Sequence, residues 1–289
     1  MYYLVEDFFT DRNQEILLHN LERMGLPYEY FKLIPFIDKF EFQSPVKDNA
    51  FLFGSVKAAR FLNKEGYKPG SMYNDNHDFE VYGPKYGELM LNHGSHIMSF
   101  DSPLPEDDKW TMFFGRPCGD NKLFAGGVFM RHSWDDMVNE MLTRKFMEDE
   151  TPEEFKIRTD RYRSYNVMIS QLQEIKWEVR CWIVGGKVIT MSQYKIGTRV
   201  VYDNKDHEDW LKNIVQSYVD IYQPAEAFVM DVCLVGEDVK IVEINCINAA
   251  GFYDANMQKL LNSIEEHFNP LKGYLEWLMK TRLMTDRDY

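Results

Sequence analysis

Apolar and polar positions along the first hundred residues alternate between strand and helix patterns. YYLVE predicts a buried strand, and DRNQEILLHNLERMG repeats apolar residues at helical spacing up to a glycine. YEYFKLIPF predicts another strand, and AFLFG followed by SVKAARFLNKEG predicts a strand-to-helix step with Ser55 as the N-cap. The turn-forming segment 66–87 is predicted to be a surface loop. Residues 1–105 are therefore predicted to form an α/β subdomain.

The pattern changes after SPLPEDDKW at 102–110, which predicts a junction between two parts of the chain. One helix is predicted from TPEEFKIRTDRYRSY, where Thr151 and Glu154 have the spacing of a capping box. A hairpin turn is predicted at GGK, between two strand patterns. Further strands are predicted from WTMFFGRP, NVMIS, EVRCWIV and KVITMSQYK, helices from HEDWLKNIVQSYVDIY and NMQKLLNSIEEHFNPLKGYLEWLMKTR, and a hairpin from AFVMDVCLVGEDVKIVEIN.

Three side chains with oxygen ligands lie inside the apolar runs of the last hairpin. Glu243 and Asn245 are two residues apart and share one strand face, and Asp231 can lie opposite them across a turn at GED. An unpaired buried carboxylate is costly, so these carboxylates need a cation. Two carboxylates and an amide oxygen are the hard ligands that Mg²⁺ prefers. The hairpin therefore predicts a metal site, and the alternative is an ordinary solvent-facing strand.

A possible phosphate-binding segment, FFGRPCGDNKLFAGGVF, precedes the hairpin. Arg116 ends a predicted strand, and Lys122 follows in the loop; both side chains suit phosphate oxygens. Gly126 and Gly127 would let backbone N–H groups approach an anion closely. The alternative is a hairpin turn that carries two surface cations.

An acid in one strand, then Glu-x-Asn in the next and a small-residue loop, resembles the ATP-grasp superfamily. VEINCINAAGF is close to its metal-binding strand in residue type and order. The run from about 111 to 253 further resembles one ATP-grasp clade of bacteria and their phages, through Arg116-Pro117, DNKLFAGG, EVR and SQY. FGSVKAARFL and LMLNH are also similar to this clade. Arg116 stands where typical ATP-grasp enzymes use a lysine.

The resemblance implies a fold that mixes α/β and α+β architecture. It implies an N-terminal α/β subdomain on the substrate side at 1–105, followed by an ATP-grasp domain at 106–289. Within that domain, a central lid at about 111–175 would precede a C-terminal antiparallel sheet, the metal-binding subdomain, at about 176–289. The N-terminal subdomain would supply most of the acceptor specificity.

The resemblance also implies contacts to the nucleotide. In the superfamily, a strand leads to a linker whose backbone binds adenine, and a glutamate shortly afterwards holds the ribose. Glu178 is the best match, with Glu174 second. Arg180 shares a strand face with Glu178, and Arg180 and Arg199 are expected to stabilise charge on the transferring group, with Lys195 as a further cation. The alternative for Glu178 and Arg180 is a salt bridge.

The implied activity is carboxylate–amine ligation with ATP and Mg²⁺. ATP would phosphorylate a carboxylate, and an amine would then attack the acyl-phosphate to form an amide. The implied partners are a small-molecule or peptide carboxylate and an amine acceptor, and Asn248 in the small-residue loop is expected to contact substrate. One alternative is a kinase that phosphorylates a small hydroxyl compound, and another is a non-catalytic nucleotide-binding module.

Composition narrows these functions further. The 289 residues carry a formal net charge of −13, which argues against general nucleic-acid binding. The four cysteines lie in or near apolar runs without Cys-x-x-Cys spacing, so they are expected to be reduced and buried, as in a cytoplasmic protein. The first residues are acidic where a signal peptide is basic, and no run is long enough to span a bilayer. No oligomeric state is predicted.

Overall fold

The computed structural model describes residues 1–7, 11–32, 47–119, 124, 126–143 and 150–269. Lys122 and the predicted helical stretch beyond Asn269 lie outside the described residues. The strands are β1 Tyr2–Glu6, β2 Tyr28–Phe31, β3 Asp48–Phe53, β4 Lys68–Gly70, β5 His96–Ser99, β6 Met112–Pro117, β7 Gly127–Met130, β8 Asn166–Ser170, β9 Ile175–Val184, β10 Lys187–Ile196, β11 Arg199–Asn204, β12 Ala227–Val235 and β13 Asp238–Cys246. The helices are α1 Asp11–Arg23, α2 Val56–Glu65, α3 Phe79–Tyr86, α4 Arg131–Thr143, α5 Pro152–Arg163, α6 Asp209–Val219 and α7 Met257–Phe268.

The chain divides into two compact units. The first unit contains Met1–His77 and Lys176–Tyr289, and the second contains Asp78–Ile175. The division into an N-terminal subdomain, a lid and a C-terminal subdomain, with boundaries near 105, 111 and 175, remains a prediction.

The first unit begins with a parallel sheet in the order β2-β1-β3-β4. The predicted β-α-β opening is confirmed, because β1 and β2 pair in parallel and α1 connects them. The predicted N-cap is also confirmed: the Oγ of Ser55 accepts a hydrogen bond of 3.2 Å from the backbone N of Ala58. Helix α2 ends at Gly66, whose φ of 77° suits the left-handed C-cap position.

The first unit also contains a five-stranded sheet in the order β11-β10-β9-β12-β13. The two predicted hairpins are confirmed, with β9 and β10 joined at Gly185-Gly186 and β12 and β13 joined at Gly236-Glu237. Both sheets contribute to one hydrophobic core, in which Phe53 of the parallel sheet and Trp182 of the five-stranded sheet are fully buried. Charged groups on the core side of these strands are therefore held in a largely apolar setting.

The second unit is built on an antiparallel sheet in the order β5-β8-β6-β7. Trp134 of α4 is only 1% exposed and anchors its core. Four aromatic rings surround it with centroid distances between 5.1 and 5.9 Å, namely Phe100, Phe113, Phe124 and Phe129. The predicted helix after Thr151 is confirmed as α5, with both hydrogen bonds of the capping box present.

The prediction of a surface loop at 66–87 is wrong. This segment contains β4 and α3, and a short 3₁₀ turn at Asp75–His77 precedes α3. Phe79, Tyr82 and Tyr86 are buried at helical spacing, so packing of this face overrides the local turn-forming residues. Helix α4 and strand β11 were not predicted either.

The cysteines are buried and free, as expected from their sequence context. Burial raises the pKa of the Cys118 and Cys233 thiols to about 12, so both are protonated at neutral pH. None of the helices in the described part of the chain has the length and apolar character needed to cross a bilayer. A cytoplasmic location remains a prediction.

Gly54, between β3 and α2, lies too close to Glu6 for a larger residue. An alanine Cβ at this position would lie 2.7 Å from Oε2 and 2.8 Å from Cβ of Glu6. Glu6 is only 3% exposed, and its Oε2 accepts a hydrogen bond of 2.6 Å from the backbone N of Ser55, so it has little room to move. We expect Gly54→Ala to lower the free energy of unfolding by about 1–3 kcal/mol, measured by urea denaturation.

The matched control for this substitution is Gly251→Ala. The nearest atoms to an added Cβ at Gly251 are 3.8 and 3.9 Å away, which is ordinary van der Waals contact. We expect a change within about 0.5 kcal/mol of zero. Equal effects of the two substitutions would contradict the steric argument.

Candidate active site

The hairpin of β12 and β13 brings the three predicted metal ligands together. Asp231 pairs directly with Glu243 across the hairpin, and the register shifts between Asp231 and Val232. Asn245 follows Glu243 on the same face of β13. Asp231 is fully buried, whereas Glu243 and Asn245 are partly buried. The apolar neighbours predicted from sequence bury the first carboxylate, while the other two side chains remain accessible.

The distances among these side chains show a small cluster of polar atoms. The Nδ2 of Asn245 lies 2.8 Å from Oε1 of Glu243 and 3.5 Å from Oδ2 of Asp231. Rotation of the Asn245 amide would turn its oxygen toward the same point, because O and N are interchangeable by a flip. Within the described residues, no cluster of three or more His, Cys, Asp or Glu side chains is placed to hold a metal. The Asn245 amide is therefore needed as the third donor, and the set suits Mg²⁺.

Arg180 on β9 pairs with Asp231 through two hydrogen bonds. Its Nε donates to Oδ1 at 2.8 Å and its Nη2 donates to Oδ2 at 2.7 Å. The Nη1 donates to the carbonyl oxygen of Gly251 at 3.3 Å. The two side chains are 11% and 1% exposed, so this is a buried ion pair with bidentate geometry. Arg180 thus compensates the buried carboxylate, a pairing that sequence reasoning missed because β9 and β12 are distant in sequence.

The Asp231–Arg180 pair has opposing electrostatic influences. Burial raises the pKa of Asp231 to about 6, while the charge and hydrogen bonds of Arg180 act to lower it and the charge of Glu243 acts to raise it. Burial by itself would lower the pKa of Arg180, but the charge of Asp231 holds it above its ordinary value. Arg180 therefore remains a cation in this site.

Glu178 and Lys195 also meet in the five-stranded sheet. They are directly paired residues of β9 and β10, and the Nζ of Lys195 lies 2.6 Å from Oε1 of Glu178. The hydroxyl of Tyr194 donates to Oε2 of Glu178 at 2.5 Å. Glu178 is 6% exposed, whereas the Lys195 side chain is 39% exposed. The salt bridge of Glu178 thus forms with Lys195, and that of Arg180 forms with Asp231.

Arg199 lies on the opposite face of the same sheet. Trp177 pairs with Ile196, and Ile196 pairs with Arg199, so all three share one face. Glu178 follows Trp177 directly and therefore points to the other face. The role predicted for Arg199 remains a prediction that the strand register does not support. Glu174 is exposed in the segment between β8 and β9.

The second unit holds Arg116, Gly126 and Gly127. Arg116 lies near the end of β6, is partly buried and pairs with Met168 of β8. An added Cβ at Gly126 would lie 3.2 Å from Cβ of Arg116, so the chain passes close to this arginine. Gly127 begins β7 and pairs with Gly115.

Asn248 has a structural role, and the expectation that it contacts substrate is wrong. Its side chain is fully buried. The Nδ2 donates to the carbonyl oxygen of Leu52 at 2.6 Å, and the Oδ1 accepts from the backbone N of Met72 at 2.7 Å. These bonds join the loop after β13 to the parallel sheet, which leaves the Asn248 amide no free donor directed at a ligand.

Comparison with solved structures shows the fold. A D-cycloserine synthetase, DcsG, is 7% identical with a TM-score of 0.57, and the match covers 93% of this chain and 100% of that chain. The D-alanine–D-alanine ligase from Bacillus anthracis complexed with ATP is 14% identical with a TM-score of 0.56, covering 95% and 99% of the two chains. The ATP-grasp ligase PsnB, complexed with a phosphomimetic variant of a minimal precursor, Mg and ADP, is 10% identical with a TM-score of 0.51, covering 92% and 97%. These likenesses show an ATP-grasp fold.

Comparison with protein families gives a direct assignment. No curated protein sequence is similar enough to match the chain. A family model described as an ATP-grasp domain, the third family of its clade, matches residues 112–264. That range covers more than half of the 289 residues and includes the Asp231, Glu243 and Asn245 cluster. The chain therefore belongs to this clade family of ATP-grasp domains.

Proposed function

We propose that this protein is an ATP- and Mg²⁺-dependent carboxylate–amine ligase. The observation that carries the proposal is the cluster of Asp231, Glu243 and Asn245, which lies on one sheet face beside the buried cation Arg180. Family membership supports ATP-grasp chemistry. Structures of similar fold include a D-alanine–D-alanine ligase with ATP and a ligase with Mg and ADP, which supports the choice of reactants.

The metal would be held by Asp231, Glu243 and Asn245. When bound, Mg²⁺ would neutralise charge on the ATP phosphates. Arg180 has its three guanidinium nitrogens committed to Asp231 and to the Gly251 carbonyl oxygen. Its first task in the proposal is therefore to fix the Asp231 carboxylate in one orientation and keep it ionised.

The nucleotide would contact Glu178 and Lys195 on the same sheet face. Glu178, held by Tyr194 and Lys195, can accept hydrogen bonds from the ribose hydroxyls. The exposed part of Lys195 can reach a phosphate oxygen. Glu174 remains the second choice for the ribose.

A second group of phosphate contacts is proposed in the other unit. Arg116 would hold a phosphate in place of the usual lysine, and Lys122 would add a second cation. The backbone N–H groups of Gly126 and Gly127 would approach the phosphates closely, because neither residue has a side chain in the way.

The proposed reaction has two steps. A carboxylate oxygen of the first substrate attacks the γ-phosphorus of ATP, and ADP leaves with the bond between the β- and γ-phosphates broken. The amine of the second substrate then attacks the acyl carbon, phosphate leaves, and the amine nitrogen loses a proton. Both steps need positioning and charge neutralisation rather than a protein nucleophile, which suits a site built from carboxylates, an amide and cations.

The test is release of ADP with a panel of amino acids and short peptides, offered as acids and amines. We expect ADP and phosphate in equal amounts, and rapid release only when both an acid and an amine are present. A kinase would instead release ADP with a single hydroxyl compound and leave the phosphate on it. Nucleotide binding with no ADP release under any combination would favour a non-catalytic module and contradict the ligase proposal.

A further inference from the structure

Three tyrosines form a row that starts at the candidate active site. The rings of Tyr194 and Tyr253 are stacked with a centroid distance of 4.9 Å and an angle of 14°. The ring of Tyr202 lies 6.0 Å from that of Tyr253. The guanidinium carbon of Arg180 lies 5.1 Å from the Tyr253 ring and 5.6 Å from the Tyr194 ring. We call Tyr194, Tyr253 and Tyr202 the tyrosine row; it leads from the Asp231–Arg180 pair to strand β11.

Tyr253, in the middle of the row, has an unusual backbone. Its φ of 50° lies in the left-handed region, which a bulky residue rarely adopts. Neighbouring hydrogen bonds hold it there: the backbone N of Phe252 donates to Oδ1 of Asn13 at 2.9 Å, and the backbone N of Asp254 donates to Oγ of Ser192 at 3.0 Å. Backbone strain that the surroundings maintain is concentrated at ligand sites in proteins. The Tyr253 ring is therefore held in a fixed position at the expense of a relaxed backbone.

Arg12, in the first turn of α1, completes the row at its far end. Its guanidinium carbon lies 4.0 Å from the centroid of the Tyr202 ring, which fits a cation–π contact. The Arg12 side chain is exposed, and no carboxylate in the described ranges forms an ion pair with it. A guanidinium over an aromatic ring keeps its N–H edge available for a planar anion. Because Asn13 holds the loop of Tyr253, Arg12 and the tyrosine row are attached to one another.

We propose that Arg12 and Tyr202 bind a free carboxylate group of the amine substrate, and that Tyr253 is the wall along which this substrate extends toward Asp231. This inference rests on the proposed ligase function. A single guanidinium offers two parallel donors, which match one carboxylate, whereas a phosphate generally recruits more than one cation. The exposed ring of Tyr202, at 47%, provides an apolar surface beside that charge. The substrate class is thus an amino acid or short peptide with a free carboxylate distant from its reacting amine.

Benzoate is a suitable probe, because it has one carboxylate on a flat apolar ring, and benzamide has the same shape without the charge. Binding is measured by NMR titration in the absence of nucleotide. We expect wild-type protein to bind benzoate at least tenfold more tightly than benzamide. Arg12→Gln should reduce benzoate affinity at least tenfold, and Tyr202→Leu should reduce it severalfold, with Tyr202→Phe close to wild type.

The matched control is Arg23→Gln, which removes the same charge from the last turn of the same helix. Arg23 is exposed and bonds to Asn20 and Gln258 only through hydrogen bonds on the surface. This variant should bind benzoate as the wild type does. Equal binding of benzoate and benzamide, absence of benzoate binding at millimolar concentration, or an equal effect of Arg12→Gln and Arg23→Gln would overturn the inference.

The probe experiment also separates this inference from the proposed function. Loss of the benzoate result with intact Mg²⁺-dependent nucleotide binding would remove only the carboxylate site. Intact benzoate binding without nucleotide binding would remove only the ligase proposal. Once an acid and amine pair is known, Arg12→Gln should raise KM for the amine at least tenfold and leave KM for ATP unchanged, a split that a general loss of folding would not produce.

Discussion

Replacing Arg180 with methionine is expected to lower the free energy of unfolding by about 3–5 kcal/mol. The reason is that Asp231 is fully buried and receives two hydrogen bonds, of 2.8 and 2.7 Å, from Arg180. Methionine fills much of the space but provides neither charge nor donors, so the carboxylate loses its counter-ion inside the core. Urea denaturation followed by the fluorescence of the buried Trp182, in the same strand, measures the effect.

Two further variants test the cause of this loss. Arg23→Met removes an exposed arginine and should change stability by less than about 0.5 kcal/mol. Combining Arg180→Met with Asp231→Leu removes both charges, and should recover much of the lost stability because a buried pair replaced by apolar residues is often neutral. A cost of less than about 1 kcal/mol for Arg180→Met, or no recovery in the double variant, would show that the pair is not the main support of Asp231.

Changing Glu243 to glutamine together with Asn245 to alanine is expected to weaken Mg²⁺-dependent nucleotide binding by at least about a hundredfold, or about 2.7 kcal/mol. These two side chains supply two of the three oxygen ligands in the cluster, and both are partly accessible. Because neither is in the hydrophobic core, the variant should unfold at nearly the same urea concentration as the wild type. Calorimetric titration with a non-hydrolysable ATP analogue measures the binding loss.

Glu237→Gln is the matched control for this variant. Glu237 is an exposed carboxylate in the turn of the same hairpin, so the substitution removes one negative charge without altering the cluster. Its nucleotide affinity should equal that of the wild type. If Glu237→Gln weakened binding as much as the double substitution, the effect would reflect net charge rather than metal ligands.

The hairpin of β12 and β13 was predictable from sequence, because two apolar runs flank an obvious turn and alternation fixes the strand faces. That local logic brought Asp231, Glu243 and Asn245 together correctly. The resemblance to ATP-grasp proteins, carried by the same residues, also led to the right family.

The partner of Asp231 was not predictable from sequence. β9 and β12 are neighbours in the sheet although α6 and two strands separate them along the chain, so only tertiary packing brings Arg180 to Asp231. The face of Arg199 was equally hidden, because it depends on the register of β10, which shifts between Gln193 and Lys195. Helix α3 was missed because its buried aromatic face outweighs the turn-forming residues around it.

The central claim is that the cluster of Asp231, Glu243 and Asn245 holds a metal that a nucleotide shares. The most direct measurement is calorimetric titration of the wild-type protein with the non-hydrolysable ATP analogue, once with Mg²⁺ and once with a chelator. We predict micromolar binding with Mg²⁺ and binding at least about a hundredfold weaker, or about 2.7 kcal/mol, with the chelator. No binding in either condition, or equal binding in both, would contradict the account.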